Sequence, residues 1–435
     1  MRPTRSGVLS LGAGALLLGL GALTGRPEVA LLGAGPVLVW GRALLARPSG
    51  EVSVEEELEV ERNGAMRADH LAATYRLCAP GAAQLRVRVT RSGARTAEAV
   101  LALDDDGTRS LPVTTSSFRS GAQPLFGVEH LALGPAGALT AEPGRREPTR
   151  VVALPSVRRL RTVPLPFRLR GLTGAHPSRR PGDGGELRDV HVFQPGDRLR
   201  RIDWRVTARR SPRLEEIYVR RDYALADSLV VVVLDSRDDV GPDPATWSGA
   251  VPVRPGERTS LDIAREAAAS LAGALVESGD RVALRDLADA RRPLEAGTGR
   301  RHLERLLWQL ATTAPRGAAP ERVRAPQVPS GALVVLLSTF LDPHAAAVAA
   351  RWRRSGHRVL AIDTLPPLRT DGLSSRERLA LRLVRIERAD RLAELEAVGV
   401  ETFAWQPAPG QDGPEVHLAR MSHRRHGQPV KEVGL

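Results

Sequence analysis

The stretch at residues 193–212, FQPGDRLRRIDWRVTARRSP, brings together six arginines, two aspartates and one tryptophan. A guanidinium group binds carboxylates and phosphates through paired hydrogen bonds, and a tryptophan ring covers a guanidinium or stacks on a nucleic-acid base. These residue types suit a structural clamp, a docking surface for another protein, or a nucleic-acid site. A catalytic role is not favoured, because no nucleophile, base and orienting group cluster within the stretch.

The order of residues in this stretch predicts a turn followed by a short helix. Pro195 and Gly196 favour a tight turn, and Asp197 is a suitable N-cap. If the helix begins there, three apolar residues share a face that should pack, and four arginines project elsewhere. The apolar residues are Leu199, Ile202 and Val206, and the arginines are Arg198, Arg201, Arg205 and Arg209.

Asp203 and Trp204 are expected to fix these arginines in place. Asp203 can hold one guanidinium in a bidentate pair, and Trp204 can cover another. Such a cluster either pins neighbouring modules together or binds a partner, and the sequence leaves both roles open. A nucleic-acid role is disfavoured, because one tryptophan is not a stacking platform and the internal aspartates neutralise part of the positive charge.

The composition of the chain gives little information about ligands. The formal net charge is +13, and 63 basic residues minus Lys431 leave 62 arginines. A genome rich in G and C also replaces lysine with arginine, so the charge is weak evidence for nucleic-acid binding. The one cysteine, Cys78, excludes an internal disulfide, and the sequence has no cysteine–histidine cluster for zinc.

Two apolar segments near the amino terminus have the length of membrane spans. Residues 6–25 contain no charge, and residues 29–46 contain one arginine, Arg42. At about 1.5 Å per residue, each segment matches the thickness of a bilayer core. We predict a transmembrane hairpin at residues 1–50 rather than a signal peptide, because no cleavage site follows the first segment. Basic residues flank both ends, which predicts a multi-pass protein of the cell membrane with cytoplasmic soluble domains.

The next part of the chain is predicted to be β-rich. Residues 51–161 contain runs in which apolar and polar residues alternate, bounded by Gly, Pro, Asp or Ser. A period of two is typical of strands with one wet face, so these residues predict a β-sandwich-like module. The acidic run 104–106 before Gly107 favours a hairpin turn over a calcium site.

From Leu229 onward, buried-type strands alternate with helices. The runs LVVVVLD, ALVVLLS and VLAIDT are typical of buried strands, and residues 260–279 and 374–398 are typical of helices. This alternation predicts a doubly wound, mostly parallel sheet at residues 226–407. The basic residues that follow, 408–435, are expected to form a mobile tail.

The segment 178–222, SRRPGDGGELRDVHVFQPGDRLRRIDWRVTARRSPRLEEIYVRRD, resembles the signature of the domain of unknown function 58 family. That signature has a serine and arginines, a glycine-rich turn, a Tyr-Gln-Pro-Gly-Asp turn and an Arg-Arg-Ile-Asp-Trp core. Phe193 stands where tyrosine is usual in that turn. Residues 162–225 are predicted to be a linker that contains the signature. The matching positions are Ser178, Arg179, Gly182, Arg188, Gln194, Pro195, Gly196, Asp197, Arg200, Arg201, Ile202, Asp203, Trp204, Ala208 and Arg209.

The resemblance implies a von Willebrand factor A-like fold for the sheet domain. Such domains often bind a divalent cation through an Asp-x-Ser-x-Ser run, a loop threonine and an aspartate from a later loop, a set of oxygens that suits Mg²⁺. The corresponding run here is Asp-Ser-Arg-Asp-Asp at 235–239, and Thr339 stands in place of the later aspartate, with Asp342 close by. Thr298 is a weak candidate for the loop threonine.

The arginine within that run argues against a bound cation. Arg237 would place a positive charge where the cation should bind, so the resemblance implies at most a degenerate Mg²⁺ site at Asp235, Asp238 and Asp239. Without a metal, Asp235 is expected to cap a helix at the edge of the sheet. No cofactor is otherwise expected.

The resemblance also implies a partner, because members of the family are often linked with MoxR-type AAA+ ATPases. We therefore predict a membrane-anchored, non-enzymatic protein-interaction scaffold that docks such an ATPase in the assembly or activation of other proteins. A divalent-cation-dependent binding or adhesion domain and an arginine-driven nucleic-acid binder are the alternatives. The residues expected to bind the partner are Arg179, Gln194, Asp197, Arg201, Asp203, Trp204, Arg205 and Arg209.

Overall fold

The computed structural model describes residues 2–423, apart from 46–51, 61–63, 92–95, 118, 168, 170–173, 175, 255, 290–292 and 316–324. Two compact units divide the chain. The first comprises Met1–Leu154 with Arg254–Glu257, and the second comprises Pro155–Val253 with Arg258–Leu435. The predicted module boundary at residue 161 is therefore displaced, because residues 155–161 cluster with the second unit and Leu160 packs in its core.

The described residues form eight α-helices and twenty β-strands. The helices are α1 (Arg5–Thr24), α2 (Pro27–Leu45), α3 (Trp204–Arg210), α4 (Ser260–Glu277), α5 (Arg300–Thr312), α6 (Pro343–Arg354), α7 (Ser375–Ala397) and α8 (Pro414–His423). The strands of the first unit are β1 (Arg2–Pro3), β2 (Ser53–Leu58), β3 (Met66–Arg67), β4 (Leu71–Cys78), β5 (Gln84–Thr90), β6 (Ala97–Ala102), β7 (Thr108–Thr115), β8 (Gly121–Pro124), β9 (Gly127–Leu133), β10 (Leu139–Thr140), β11 (Gly144–Arg146) and β12 (Arg150–Leu154). Those of the second unit are β13 (His176–Val192), β14 (Tyr218–Ala226), β15 (Leu229–Leu234), β16 (Arg281–Asp286), β17 (Leu294–Gly297), β18 (Leu333–Ser338), β19 (Arg358–Asp363) and β20 (Glu401–Ala404).

Helices α1 and α2 form the predicted pair of apolar helices, and each is long and apolar enough to cross a membrane. Gly7, Gly14 and Gly21 recur every seven residues on α1 and are buried. Gly14 and Gly21 let the two helices approach closely, because a Cβ on Gly21 would lie 2.4 Å from the backbone nitrogen of Ala30, whereas Gly7 packs against the backbone of Ala138. Large apolar side chains point away from this seam, and Leu23 is 88% exposed.

The rest of the first unit contains three sheets around a shared core. Their strand orders are β1-β10-β9-β5-β6 with β11 beside β9, β3-β12-β8, and β2-β4-β7. The core includes Leu71, Tyr75, Leu85 and Val128, so the β-rich prediction is confirmed for this region. The sequence did not predict β4, since its side chains are buried along most of the strand and alternation is lost.

The second unit contains a six-stranded sheet in the order β17-β16-β15-β18-β19-β20. Five strands are parallel, and the edge strand β17 is antiparallel to β16. Helices α4, α5 and α8 contribute to the core on one face, and α6 and α7 to the core on the other. The prediction of a doubly wound, mostly parallel sheet is therefore confirmed.

The strand order of this sheet reverses between β15 and β18. One side of the pair continues to β16 and the other to β19. The loops that follow β15 and β18 therefore diverge and leave a crevice at the carboxyl ends of the strands, where open α/β sheets bind their ligands. Asp235 directly follows β15, and Ser338 is the last residue of β18.

Strands β13 and β14 pair only with each other among the described strands and form an antiparallel ribbon. At its base, His176 Nε2 lies 3.0 Å from both carboxylate oxygens of Asp280. Asp280 also accepts a hydrogen bond from the Ser228 backbone at 2.8 Å. These contacts join the base of the ribbon to the amino-terminal ends of β15 and β16. Residues 176–226 are thus an ordered ribbon with a connection, where the sequence had predicted a linker.

The prediction of a mobile tail after residue 407 is wrong for its first part. Residues 414–423 form α8, and Leu418 packs in the core of the sheet domain. The carbonyl oxygen of Met421 accepts a hydrogen bond from Arg358 Nη2 at 2.8 Å. Residues 424–435 lie outside the described part of the chain.

Candidate functional site

Residues 193–217, which connect β13 to β14, begin with the turn predicted from Pro195 and Gly196. Gly196 has a φ of 101°, a conformation that glycine adopts without strain. The Gln194 backbone donates to Asp197 Oδ2 at 2.9 Å, and this bond, with the charge of Arg221, lowers the pKa of Asp197. Asp197 also lies 3.4 Å from Arg221 Nη2 on β14. Asp197 therefore closes the turn and is not the N-cap of a helix.

The helix of the signature begins later than predicted. A single 3₁₀ turn covers Leu199–Arg201, and α3 begins at Trp204 with Asp203 as its N-cap. Asp203 Oδ1 accepts the Val206 backbone N–H at 3.0 Å. The expected bidentate pair between Asp203 and a guanidinium is replaced by this cap, which an aspartate one residue before a helix is well suited to make.

One buried side chain anchors α3 to the ribbon. Thr207 is fully buried, and its Oγ1 accepts the Tyr218 backbone N–H at 2.9 Å. The Asp203 backbone N–H also donates to the Tyr218 carbonyl oxygen at 2.9 Å. The predicted packing of Leu199 is wrong, because Leu199 lies in the 3₁₀ turn before α3 and not on one helical face with Val206.

Several large side chains of the connection are left in solvent. Leu199 is 72% exposed, Trp204 is 61% exposed and Leu214 is 60% exposed. Arg205 and Arg209 on α3 are exposed as well. We call these five residues the signature surface. Trp204 does not cover a guanidinium as predicted. Arg210 of the connection instead lies over the ring of Tyr218 on β14, with its guanidinium carbon 5.5 Å from the ring centroid.

Leu214 is the residue of this surface that the sequence did not single out. It has a φ of 55°, a left-handed conformation that is costly for a branched side chain. Its backbone N–H bonds to the Ser211 carbonyl oxygen at 2.9 Å in a tight turn. Glycine or asparagine would fit this position at lower cost. In the sequence, Leu214 is an isolated leucine among polar residues in the run SPRLEE, and this pattern could have indicated its exposure.

Three other predicted partner-binding residues lie away from the signature surface or outside the described residues. Arg201 Nη2 donates to the Gly182 carbonyl oxygen at 2.7 Å, so Arg201 holds the signature against β13. Gln194 is exposed in the turn. The side chain of Arg179 lies outside the described residues.

The second candidate site is the crevice at the carboxyl ends of β15 and β18. Arg237 lies inside it with a side chain that is 1% exposed. Arg237 Nε and Nη2 donate to the two oxygens of Asp235 at 2.7 and 2.8 Å, and Nη2 also lies 2.9 Å from Asp342 Oδ2. Ser338 Oγ donates to Asp235 Oδ2 at 2.6 Å. A guanidinium therefore lies between the two carboxylates that would otherwise face a cation.

The charge of Arg237 is held by these carboxylates. Burial alone would lower its pKa, but the hydrogen bonds and charges of Asp235 and Asp342 outweigh burial and raise the pKa. Asp235 thus binds Arg237, and the expectation that it caps a helix is wrong. Asp342 is the residue that caps a helix here, since its Oδ1 accepts the His344 backbone N–H at the start of α6 at 2.7 Å.

The other proposed cation ligands do not converge on Asp235. Asp239 Oδ1 accepts the Leu261 backbone N–H at 3.2 Å, at the start of α4. The side chain of Asp238 is only partly in solvent, and the burial of its remainder, together with the charges of Asp235 and Asp342, raises its pKa. Thr298 follows β17, whose Gly297 pairs with Val282 near the start of β16, so it lies at the opposite edge of the sheet. Among the described residues, no group of three or more histidine, cysteine or acidic side chains could hold a metal ion.

Part of this chain matches a known protein family. Residues 189–371 match the family model described as "Protein of unknown function DUF58". Uncharacterized proteins of Mycobacterium bovis and of two Mycobacterium tuberculosis strains are each 32% identical over 218 residues. That match covers 45% of this chain, and the chain spans about 60% of the length of these curated relatives.

The matched segment begins within β13 and ends after β19, so it contains both the signature surface and the crevice. The resemblance drawn from the signature is thereby confirmed. The family that residues 189–371 of this chain match is DUF58, a family of proteins of unknown function.

Proposed function

We propose that this chain is a membrane-anchored docking protein without catalytic activity, and that its signature surface binds another protein. The observation that carries this proposal is the exposure of Trp204, which is 61% exposed beside Arg205 on a helix anchored by one buried residue. Tryptophan and arginine are the side chains most enriched at the centres of protein interfaces. A large apolar side chain left in solvent gains most from a partner that covers it.

The strained backbone at Leu214 supports the same proposal. An exposed leucine in a left-handed conformation costs folding free energy and adds no core packing. Such strain is typical of sites where the side chain serves binding. Trp204 is the first residue of α3 and Leu214 follows the end of this helix, so both would be presented by the same connection.

The membrane anchor of this proposal is the pair α1 and α2. Small residues such as Gly14, Gly21 and Ala30 lie where the two helices meet, and large side chains such as Leu16 and Leu23 are exposed. Helices packed in lipid place small residues at the interface because lipid solvates the large apolar ones. A water-soluble hairpin would show the reverse arrangement.

The proposal extends to the fold of the sheet domain and to the identity of the partner. The sheet order with an antiparallel edge strand supports a von Willebrand factor A-like fold, with Arg237 standing where such domains often hold a cation. The family resemblance makes a MoxR-type AAA+ ATPase the partner to test first. The crevice, filled by a guanidinium, gives the cation-dependent alternative no support.

The proposal is tested by titrating the full-length protein in nanodiscs with a purified MoxR-type ATPase from the same organism. We expect Trp204→Ala to weaken binding and Val251→Ala, which truncates an exposed apolar residue elsewhere in the second unit, to leave it unchanged. Equal affinities for the wild type and both variants would contradict a docking role for the signature surface. Failure of the wild type to bind would remove the ATPase as the partner.

A further inference from the structure

Helix α7 has apolar side chains on two opposite faces. Leu381 and Leu395 are buried against the rest of the second unit. Leu379, Leu383 and Ile386 are 60%, 56% and 49% exposed. At about 100° per residue, the spacing i, i+4, i+7 places these three on one stripe that faces away from Leu381 and Leu395. A surface helix normally has a polar outer face, so this outer stripe indicates a binding surface.

The outer stripe lies in the basic half of the helix. Residues 375–386 contain four arginines and one glutamate, a net charge of 4 − 1 = +3. Residues 387–397 contain two arginines and four acidic residues, a net charge of 2 − 4 = −2. The one acid of the basic half, Glu377, accepts the Ser374 backbone N–H at 2.7 Å and is part of the capping box. Four arginines therefore border the stripe, and the exposed acids Glu387 and Asp390 follow it at its carboxyl end.

We propose that the outer stripe of α7 binds the surface of an anionic lipid bilayer. A basic amphipathic helix binds such a surface by placing its apolar side chains among the acyl chains and its cations among the headgroups. The stripe has three large side chains over two turns, which is a small area for a stable protein interface. A short stripe becomes effective when the protein is already tethered, because tethering raises its local concentration at the bilayer. This inference rests on the proposed anchoring through α1 and α2.

The inner face of the same helix explains what lipid binding would achieve. Arg388 Nε donates to the Thr339 carbonyl oxygen at 2.7 Å, and Arg391 Nη1 donates to the carbonyl oxygens of Phe340 and Leu341 at 2.9 and 2.8 Å. These bonds fix the loop that follows β18 at the crevice. Contact of α7 with lipid would therefore hold the sheet domain in one orientation on the bilayer.

The experiment uses the full-length protein with Cys78→Ser and one new cysteine labelled with bimane, in vesicles whose acyl chains carry bromine as a quencher. Cys78 is the only cysteine of the sequence, so each label reports one position. The test label is at Leu383→Cys, where the apolar bimane preserves the character of the stripe. Leu16→Cys on α1 reports insertion of the anchor, and Val251→Cys is the matched control on an exposed apolar position of the same unit.

We expect bimane at position 383 to be quenched in vesicles containing phosphatidylglycerol, but not in phosphatidylcholine alone. High salt, and the triple change Arg378→Gln, Arg382→Gln and Arg385→Gln, should abolish this quenching, because both weaken attraction to the anionic headgroups. The label at position 251 should remain unquenched throughout.

Three outcomes would overturn the inference. Equal fluorescence at 383 and 251 with quenching at position 16 would show an anchored protein whose α7 does not meet lipid. A spectral shift at 383 that depends on protein concentration and not on brominated lipid would assign the stripe to a protein contact. Absence of quenching at position 16 would refute the anchor itself and this inference with it.

Discussion

Two regions of the second unit use arginine in opposite ways. In the crevice, Arg237 is buried, and Asp235 and Asp342 bind its guanidinium within the protein. On the signature surface, Arg205 and Arg209 are exposed beside an exposed Trp204. A buried arginine between two carboxylates stabilises structure, whereas an exposed tryptophan with arginines is typical of an interface. This contrast is the reason for proposing that a partner docks on the signature surface, whereas Arg237 stabilises the crevice.

The largest expected effect is in the crevice. Arg237→Ala leaves Asp235 and Asp342 close together without a cation, and removal of one partner from a buried ion pair costs about 3–5 kcal/mol. We expect thermal unfolding of the detergent-solubilised protein to shift to a clearly lower temperature. Arg300→Ala, which removes an exposed partner of Glu304, is the control and should change little.

A serine at position 237 tests whether a cation can take the place of the guanidinium. Arg237→Ser restores the Asp-x-Ser order, and millimolar Mg²⁺ should then recover part of the lost stability by bridging Asp235 and Asp342. An unfolding temperature of Arg237→Ala equal to that of the wild type would contradict a structural role for Arg237.

The next effect concerns binding and not stability. Trp204→Ala should weaken partner binding by about 2 kcal/mol, or roughly thirtyfold, as expected for a central interface tryptophan. Because Trp204 is mostly solvated, the free energy of unfolding should change by less than about 0.5 kcal/mol. Chemical unfolding beside a binding titration separates the two. A large loss of stability would show that Trp204 is a packing residue and would remove the contrast with Arg237.

The stability contributed by the contact of His176 with Asp280 at the base of the ribbon should depend on pH. The hydrogen bond to Asp280 raises the pKa of His176 against the effect of burial, with added attraction from Asp280 and Asp227. A raised folded pKa means that the contribution is fully present below about pH 6.5, the unfolded value, and is lost as the pH rises through the folded pKa. His176→Asn should therefore destabilise by about 1–2 kcal/mol at pH 5.5 and by less at pH 9. Urea unfolding at the two pH values measures this, and an equal loss at both would contradict it.

The smallest effect is expected at Leu214. Leu214→Gly relieves a left-handed leucine and should stabilise the protein by up to about 1 kcal/mol, with some of the gain offset by a more flexible unfolded chain. The same change should weaken partner binding, because it removes an exposed apolar side chain. A variant that is less stable, or that binds as tightly as the wild type, would show that Leu214 is not held in strain for binding.

The sheet domain was predictable because its elements follow simple periodicities. The valines of β15 and the capping box of α4 at Thr259 and Asp262 are local signals, and the structure contains both. The ribbon was missed because β13 contains proline and glycines and has register shifts opposite β14, so it shows no clean alternation. Helix α8 was missed because its burial depends on distant residues such as Arg358.

The candidate site was predictable in composition but not in geometry. Both Asp197 and Asp203 are good capping residues, and the sequence alone could not decide which of them begins the helix. Thr207 fixes the position of the helix, because its hydroxyl oxygen accepts a hydrogen bond from the Tyr218 backbone N–H on β14. The conflict between Arg237 and a cation was visible in the sequence. The sequence could not show that Asp342, 105 positions away, binds the same guanidinium and so keeps Arg237 in the crevice.

Hydrogen–deuterium exchange of the full-length protein in nanodiscs, with and without the proposed partner, a MoxR-type ATPase, tests the central contrast most directly. We predict that the ATPase slows exchange at residues 199–217 and leaves residues 235–239 unchanged. Slower exchange at 235–239, with residues 199–217 unaffected, would instead place the docking site in the crevice.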